Sequence, residues 1–209
     1  MAEARVAEAR AGRLIAIDGA VGRDVSEAAT SLYDYLTERH ATSGVSRWDA
    51  SGLFTDVVSA PVVERDVSPR TLLLLYAADL AFRVRWEIGP SIEQGLVIVA
   101  APYVATAVAF GRATGLSHDW LKTLFRFAPH ATRTLVLRDR KPQQPWKRKS
   151  DRGFAESCTV LLEDTPERFA RKKARAHMVE ALASTAEKEG GLTRTRDLRR
   201  IAGEIAKKK

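Results

Sequence analysis

The sequence predicts an α/β protein in which helices cover both faces of a parallel sheet, a three-layer α/β/α arrangement. Apolar runs typical of buried parallel strands lie at 14–17, 96–99 and 134–137. Stretches with the apolar spacing of helices separate these runs, and that alternation is the pattern of a covered parallel sheet. We expect one domain over residues 1–209, a length at which a single core suffices.

The other elements follow from local signals. The first helix is predicted to open at Ser26, and a second strand to follow a turn within 41–46. A long helix begins at Pro69 and is expected to be interrupted at Gly89-Pro90, because proline lacks the N–H that a helix interior needs. Further helices are predicted at 103–113, at 118–128, from 164 to 182 with Ala170, Ala174, His177, Met178, Ala181 and Leu182 inside, and at 198–205.

Composition narrows the class of protein. The single cysteine, Cys158, excludes a disulfide framework, and the four histidines show no metal-ligand spacing with it. The first residues include Glu3 and Glu8 and lack the apolar core of a signal peptide. The longest apolar stretch, 72–78, is too short to span a bilayer. We therefore expect a cytoplasmic protein without membrane contact.

The net charge of +8 is concentrated in two places. Residues 138–152 hold seven Lys/Arg against two Asp, within a lid-like basic loop over 138–157, and a basic segment over 190–209 ends in three lysines. Such runs are usually solvated surface, but they also suit a lid that grips an anion or a patch that binds nucleic acid. The sequence leaves these alternatives open.

Residues 14–26, LIAIDGAVGRDVS, have the order of a phosphate-binding loop: a strand, a glycine-bearing turn and a helix. Such loops hold phosphate with backbone N–H groups and the helix dipole, and a lysine before the Ser/Thr neutralises the transferred phosphoryl group. Val25 stands in place of that lysine, and Asp24 adds negative charge. An ordinary strand–turn–helix connection shares the same partial pattern.

Five short segments follow one another along the chain. They are YAADL at 76–80, IGPSI at 88–92, VIVAAPY at 97–103, LFRFA at 124–128 and DRGFAE at 151–156. Over residues 13–185 this order and spacing resemble the thymidylate kinase family. The resemblance implies a P-loop NTPase fold and, for an active member, transfer of the ATP γ-phosphate to dTMP with Mg²⁺. It also implies a homodimer, for which the 70–88 helix is the candidate interface.

The departures from the family fall on charged positions. Val25 replaces the loop lysine, Leu80 replaces the arginine that grips the monophosphate, and Ala101-Pro102 replace an Asp-Arg pair that serves metal and phosphate. Positioned positive charge supplies most of phosphoryl-transfer catalysis, so three losses in one site predict impaired catalysis.

The retained candidates fall into three groups. Those for nucleotide or phosphate binding are Asp18, Gly19, Gly22, Arg23 and Ser26, with Ser26 also a candidate for Mg²⁺. Those for the substrate pocket are Arg47, Asp79, Arg83 and Tyr103. The remaining candidate catalytic cations, besides Arg47, are Arg148 and Arg152 in the basic loop.

These residues are compatible with three functions. The first is a pseudoenzyme that still holds a nucleotide or another phosphate ligand. The second is an active dTMP kinase in which loop cations replace the lysine. The third is a nucleic-acid-associated protein, which would need the basic segments to gather on one face.

Overall fold

A computed structural model describes residues 11–54, 56, 68–138 and 170–207. The strands are β1 (Arg13–Asp18), β2 (Ser43–Arg47), β3 (Val97–Ala101) and β4 (Arg133–Val136). The helices are α1 (Gly22–Thr37), α2 (Pro69–Arg83), α3 (Gly89–Glu93), α4 (Val104–Ala113), α5 (His118–Leu124), α6 (Ala170–Lys188) and α7 (Leu198–Lys207), with a π-helical turn at Val84–Ile88 and a 3₁₀ turn at Thr195–Asp197.

The four strands form one parallel sheet in the order β2-β3-β1-β4. Ile15 pairs with Val99, and Ile17 pairs with Leu135, so the strands keep a common direction. The predicted parallel α/β sheet is therefore confirmed. All carboxyl ends lie at one edge, where open α/β sheets place their ligands.

Each face of the sheet buries its own apolar core. On one face, alternate strand residues such as Leu14 and Ile98 pack with α2, α4 and α6. On the other face, Ile15 and Val99 pack with α1 and α7. Because residues on both faces of the sheet are buried, the central strands are continuous runs of apolar residues in the sequence.

Helix α1 begins earlier than the sequence predicted. It starts at Gly22, so Ser26 lies inside the helix and does not open it. Val25, Ala28 and Ala29 are all buried on one side of α1. Packing of Val25 against the sheet favours helical backbone before Ser26, and this tertiary contact overrides the local start signal.

The long helix also passes the predicted interruption at Gly89-Pro90. A π-helical turn at Val84–Ile88 joins α2 to α3, and the Gly89 N–H donates to the Val84 carbonyl oxygen. This wider turn re-pairs the backbone around the proline. A Cβ on Gly89 would lie 2.8 Å from that oxygen, so the turn requires glycine.

Other boundaries shift by a few residues. The second strand is present, but as β2 it begins at Ser43, inside the 41–46 segment that was predicted to be a turn, because this segment pairs with β3. The helix predicted to reach residue 128 ends at Leu124. In α6, Met178 and Leu182 are buried as expected, whereas His177 is exposed, so its predicted inner position was wrong. The side chains of Ala170 and Ala174, and the predicted helix start at 164–167, lie outside the described residues.

Helix α7 runs from the carboxyl edge of the sheet to its amino edge. Near its start, Thr193 bridges Leu137 just beyond β4. Near its end, Arg13 donates to the Ile205 carbonyl oxygen, and Arg133 pairs with Glu204 at 2.9 Å. Arg13 and Arg133 begin their strands, so Lys207 leaves the described fold at the edge opposite to Arg138. Among the described helices, none is both long and apolar enough to cross a membrane.

Candidate phosphate-binding site

The turn after β1 is tied to the start of α4. The Gly19 N–H donates to the Thr106 hydroxyl oxygen at 3.1 Å, and the Thr106 hydroxyl donates to Asp18 Oδ1 at 2.7 Å. Backbone N–H groups of Tyr103 and Thr106 donate to the same Asp18 oxygen, each at 2.9 Å. Asp18 thus caps α4 from the neighbouring strand.

Asp18 is fully buried, and this burial raises the pKa of its carboxyl above the ordinary value, although the hydrogen bonds from Thr106 and Tyr103 oppose the shift. All three donors engage Oδ1, and Oδ2 has no partner within the described residues. The carboxylate is therefore held by α4 and is remote from solvent.

Val25, at the position of the family's loop lysine, points into the protein. It is 1% exposed and belongs to the core beneath α1 and α7. A Cβ built on Gly19 would lie 3.0 Å from Val25 Cγ2, so the valine packs directly against the turn. A lysine at this position would have the first carbons of its side chain buried among apolar residues.

Ser26 and Arg23 lie on the solvent side of α1. Ser26 is exposed in the second turn of the helix. Arg23 forms an exposed ion pair with Glu27 at 2.8 Å. Gly22 is the first residue of α1, and Asp24 places an acidic side chain in the first turn.

Arg47 ends β2 at the same carboxyl edge of the sheet but faces α1. Its Nη2 donates to the Thr30 hydroxyl oxygen at 2.8 Å, and the side chain is exposed. The structure thus brings Arg47 to the edge where ligands bind, on the α1 side of the sheet.

Asp79 and Arg83 form a buried ion pair on α2, with 3.0 Å between Nε and Oδ2. Arg83 Nη1 donates to the Pro102 carbonyl oxygen at 3.1 Å, and Nη2 donates to the Tyr76 hydroxyl at 3.4 Å. The guanidinium therefore connects α2 to the segment that follows β3.

Asp79 also binds the turn that follows β2. It accepts hydrogen bonds from the Asp49 N–H at 2.9 Å, the Ser51 N–H at 3.1 Å and the Ser51 hydroxyl at 3.0 Å. Such buried charge is tolerable only because it is paired and hydrogen-bonded.

Tyr103 links these groups to one another. Its carbonyl oxygen accepts from the Tyr76 hydroxyl at 2.8 Å, and its own hydroxyl donates to the Pro129 carbonyl oxygen at 2.6 Å. Burial raises the pKa of both tyrosines. The polar cluster thus runs from Asp18 through Tyr103 and Tyr76 to Arg83.

The two other altered positions are apolar and buried. Leu80 is 0% exposed within the core beneath α2, and Ala101 is 3% exposed at the end of β3. Neither side chain can donate to a phosphate or ligate a metal.

Some candidates lie outside the described residues. These are Arg148, Arg152 and the basic loop beyond Arg138. Within the described ranges, no three His, Cys, Asp or Glu side chains gather as a metal-binding group.

Three residues of the site, Thr106, Tyr76 and Ser51, were not predicted from the sequence to be functional. Thr106 sits four residues after Pro102, in a run of small residues that gave no functional signal. Ser51 lies two residues after Asp49, and residues of these types are common in turns. This turn pattern was the signal in the sequence that backbone N–H groups near residues 49–51 can bind a side chain. Their partners lie far away in sequence, so only the fold brings them together.

The fold and the turn after β1 define an α/β protein of the P-loop type, with a parallel sheet and a phosphate-loop position at its carboxyl edge. Comparison with solved structures agrees. A thymidylate kinase from Ehrlichia chaffeensis matches with a TM-score of 0.67 at 12% identity, covering 93% of this chain and 98% of that chain. At that identity the likeness concerns the fold.

Sequence relatives point to the same family. A probable thymidylate kinase 2 of Saccharolobus solfataricus is 28% identical over 127 residues, which are 61% of this chain and 59% of that protein. Probable thymidylate kinases of Pyrobaculum aerophilum and Pyrococcus abyssi are 27% identical over 148 residues and 34% identical over 90 residues, covering 70% and 43% of this chain. The matches span 74% of the Pyrobaculum protein and 43% of the Pyrococcus protein. No protein-family model matches the chain. These relatives, and the solved structure that shares the fold, are all named as thymidylate kinases or probable thymidylate kinases, so the chain is similar to that family in sequence and in fold.

Proposed function

We propose that this chain is a pseudoenzyme of the thymidylate kinase family, a binding subunit that does not catalyse phosphoryl transfer by the family's mechanism. The burial of Val25 carries the proposal. At 1% exposure and packed against Gly19, this side chain supplies no charge to a phosphate and occupies apolar core. A positioned cation at this point accounts for a large part of catalysis in P-loop proteins.

The other altered positions support the same proposal. Leu80 and Ala101 are buried and uncharged, and the nearby Arg83 is already engaged by Asp79 and the Pro102 carbonyl oxygen. Groups that act together on a transferring phosphoryl group are strongly non-additive. Loss of several of them is therefore not repaired by one surviving arginine.

The residues present fit the family's Mg²⁺ poorly. Asp18 is buried and committed through Oδ1 to α4, while Ser26 lies on the exposed side of α1. Mg²⁺ prefers several oxygen ligands in a strict octahedron together with substrate phosphates. We assign no catalytic step to a metal here.

A steady-state assay tests the proposal. Purified protein is incubated with ATP, dTMP and Mg²⁺, and dTDP is quantified by chromatography. We expect no dTDP above a protein-free blank. The contradicting result is robust, Mg²⁺-dependent turnover by the unmodified chain that falls in Arg47→Ala and persists in a matched exposed control, Arg112→Ala.

The second candidate function is an active dTMP kinase, ATP + dTMP to ADP + dTDP. The observation that favours it is the name of the relatives, which are thymidylate kinases or probable thymidylate kinases. In this candidate, Arg47 and the basic-loop cations Arg148 and Arg152 replace the lost lysine. The same assay separates it from the pseudoenzyme.

A nucleic-acid function has less support. The basic segment over 190–209 starts beside Arg138, whose N–H donates to the Thr193 carbonyl oxygen, but its last described residue, Lys207, lies at the opposite edge of the sheet. A single binding face at the carboxyl edge would therefore hold only the first part of that segment. Binding of DNA that weakens steeply with salt would nevertheless favour this candidate.

Ligand binding without catalysis has its own measurement. Thermal unfolding is followed with ATP, dTMP and dTDP, each with and without Mg²⁺, and with single-stranded DNA. A ligand that binds only the folded state raises the unfolding temperature in proportion to its occupancy. We expect a shift with a nucleotide or phosphate ligand and none with DNA at physiological salt.

A further inference from the structure

The carboxylate of Asp79 lies in a compact set of donors that the chain itself supplies. Asp49 N–H donates to Oδ2, while the Ser51 N–H and hydroxyl donate to Oδ1, at 2.9, 3.1 and 3.0 Å. Arg83 Nε lies 3.0 Å from Oδ2. Two backbone or hydroxyl donors on one oxygen, and a backbone donor with a cation on the other, form the kind of arrangement that binds oxyanions.

This arrangement is built into the interior. Asp79 and Arg83 are both 0% exposed, so water does not screen the charge of either group. Arg83 Nε makes no hydrogen bond within the described residues, although the carboxylate lies beside it, so their contact is an ion pair. The Pro102 carbonyl oxygen and the Tyr76 hydroxyl hold the other guanidinium nitrogens.

The turn after β2 is shaped around the same anion. Asp49 has a φ of 58°, in the left-handed region that few residues other than glycine adopt. Its side chain Oδ1 accepts from the Phe54 N–H at 2.8 Å, which closes the turn on its far side. The two N–H groups that face Asp79 are thereby aimed at the two oxygens of one carboxylate.

We propose that the Asp49–Ser51 turn and Arg83 form a binding site for a small oxyanion, of carboxylate size, that the chain fills with its own Asp79. The occupant orders the turn after β2 and neutralises Arg83. With the site filled from within, neither Asp79 nor Arg83 is available to an external phosphate. This inference stands on hydrogen-bond geometry and is independent of whether the chain is a kinase.

Vacating the site tests the proposal. Asp79→Ala removes a group the size of formate, and Asp79→Gly removes one the size of acetate. We expect formate to raise the unfolding temperature of Asp79→Ala more than acetate does, and the order to reverse in Asp79→Gly. Hydrogen exchange at the Asp49 and Ser51 amides should accelerate in both variants and slow severalfold when the matching anion is added.

Three controls make the test specific. Asp79→Asn keeps the space filled and should not respond to either anion beyond chloride at equal ionic strength. Asp79→Ala with Arg83→Met lacks the cation and should lose most of the response. Inorganic phosphate, which is larger than the vacated space, should stabilise Asp79→Ala less than formate.

The outcomes that overturn the proposal are distinct. Formate acting no better than chloride on Asp79→Ala, or equally well on the Arg83→Met double variant, would show that no such site exists. A larger effect of phosphate than of formate on Asp79→Ala would show that the site is not of carboxylate size, which would also overturn the proposal. If Asp79→Ala is unfolded in buffer alone, formate must restore the helical circular-dichroism signal, and failure to do so counts equally against the proposal.

Discussion

In the proposed pseudoenzyme, Val25 is the side chain that separates the fold from the chemistry of a phosphate loop. In a phosphate loop the corresponding lysine must reach outward to the phosphates. Here the helix begins at Gly22, and its early start turns residue 25 towards the sheet. The substitution therefore changes both the charge and the direction of the side chain, which explains why restoring the lysine alone should not restore a kinase.

Val25→Lys should strongly destabilise the protein. An unpaired ammonium in this core costs on the order of 3–5 kcal/mol in free energy of unfolding, and dTDP formation should stay at background. Ser26→Lys, the matched exposed neighbour, should change stability by no more than about 0.5 kcal/mol. Urea unfolding monitored by circular dichroism measures both variants, and equal stabilities would contradict the buried position of Val25.

Asp18 predicts a pH dependence of stability. Because burial raises the pKa of this carboxyl in the folded state, its contribution to stability is complete below the ordinary value and is lost as pH rises through the folded pKa. Asp18→Asn keeps an acceptor oxygen and does not titrate. The stability of the unmodified protein relative to Asp18→Asn should therefore fall as pH rises above the ordinary pKa of an aspartate carboxyl, about 3.9. Chemical denaturation at a series of pH values measures the difference, and a difference that rises with pH would contradict the prediction.

At the scale of elements, α2 connects the two segments that follow β2 and β3 at the carboxyl edge of the sheet. Through Asp79 it holds the turn after β2, and through Arg83 and Tyr76 it holds the segment after β3. These contacts are made from consecutive turns on one side of α2. Positions along α2 are therefore coupled to both loops at the carboxyl edge of the sheet.

Arg83→Met should break this coupling. Removing one member of a buried ion pair costs about 3–5 kcal/mol, because the other charge is left unpaired. Asp79→Asn combined with Arg83→Met should cost less than the sum of the single changes, since the double variant buries no unpaired charge. Arg112→Met, at an exposed arginine of α4 away from this face, is the matched control. Additive losses in a denaturant double-mutant cycle would contradict the pair.

The outer face of α2 supports the proposed homodimer. Leu74, Phe82 and Trp86 are 50%, 39% and 64% exposed along one row of the helix and its π-helical turn. Exposed side chains from 71 to 86 include a single charged residue, Arg85, which lies over the Trp86 ring. Contiguous exposed apolar side chains of this kind commonly mark protein interfaces.

We expect light scattering after size exclusion to give a dimer mass for the unmodified chain. Leu74→Glu with Phe82→Glu should give a monomer, because two buried charges would face each other across the two-fold axis. Phe127→Glu, at another exposed aromatic residue, should leave the dimer intact. A monomer at all concentrations tested would contradict the proposal.

At the scale of the whole molecule, the apolar strands and both cores were predictable from the sequence. Apolar runs such as 14–17 indicate buried strands, and apolar residues four positions apart, such as Ala28 and Leu32, indicate the buried side of a helix. The start of α1 and the passage of the long helix through Gly89-Pro90 were not, since they depend on packing and on a π turn. For the candidate site, the sequence indicated which residues to consider but not the contacts between them. That Asp18 would cap α4, and that Asp79 would bind residues 49 and 51, required contacts between distant segments of the chain.

A single-turnover experiment tests the central claim most directly. Protein in large excess is mixed with radiolabelled dTMP, ATP and Mg²⁺, and the label is followed over hours, so that even one transfer per site is visible. A protein with no cation at residue 25 and an engaged Arg83 should leave all of the label in dTMP. Conversion of the label to dTDP at a rate that rises with protein concentration, and that Arg47→Ala abolishes, would contradict the account.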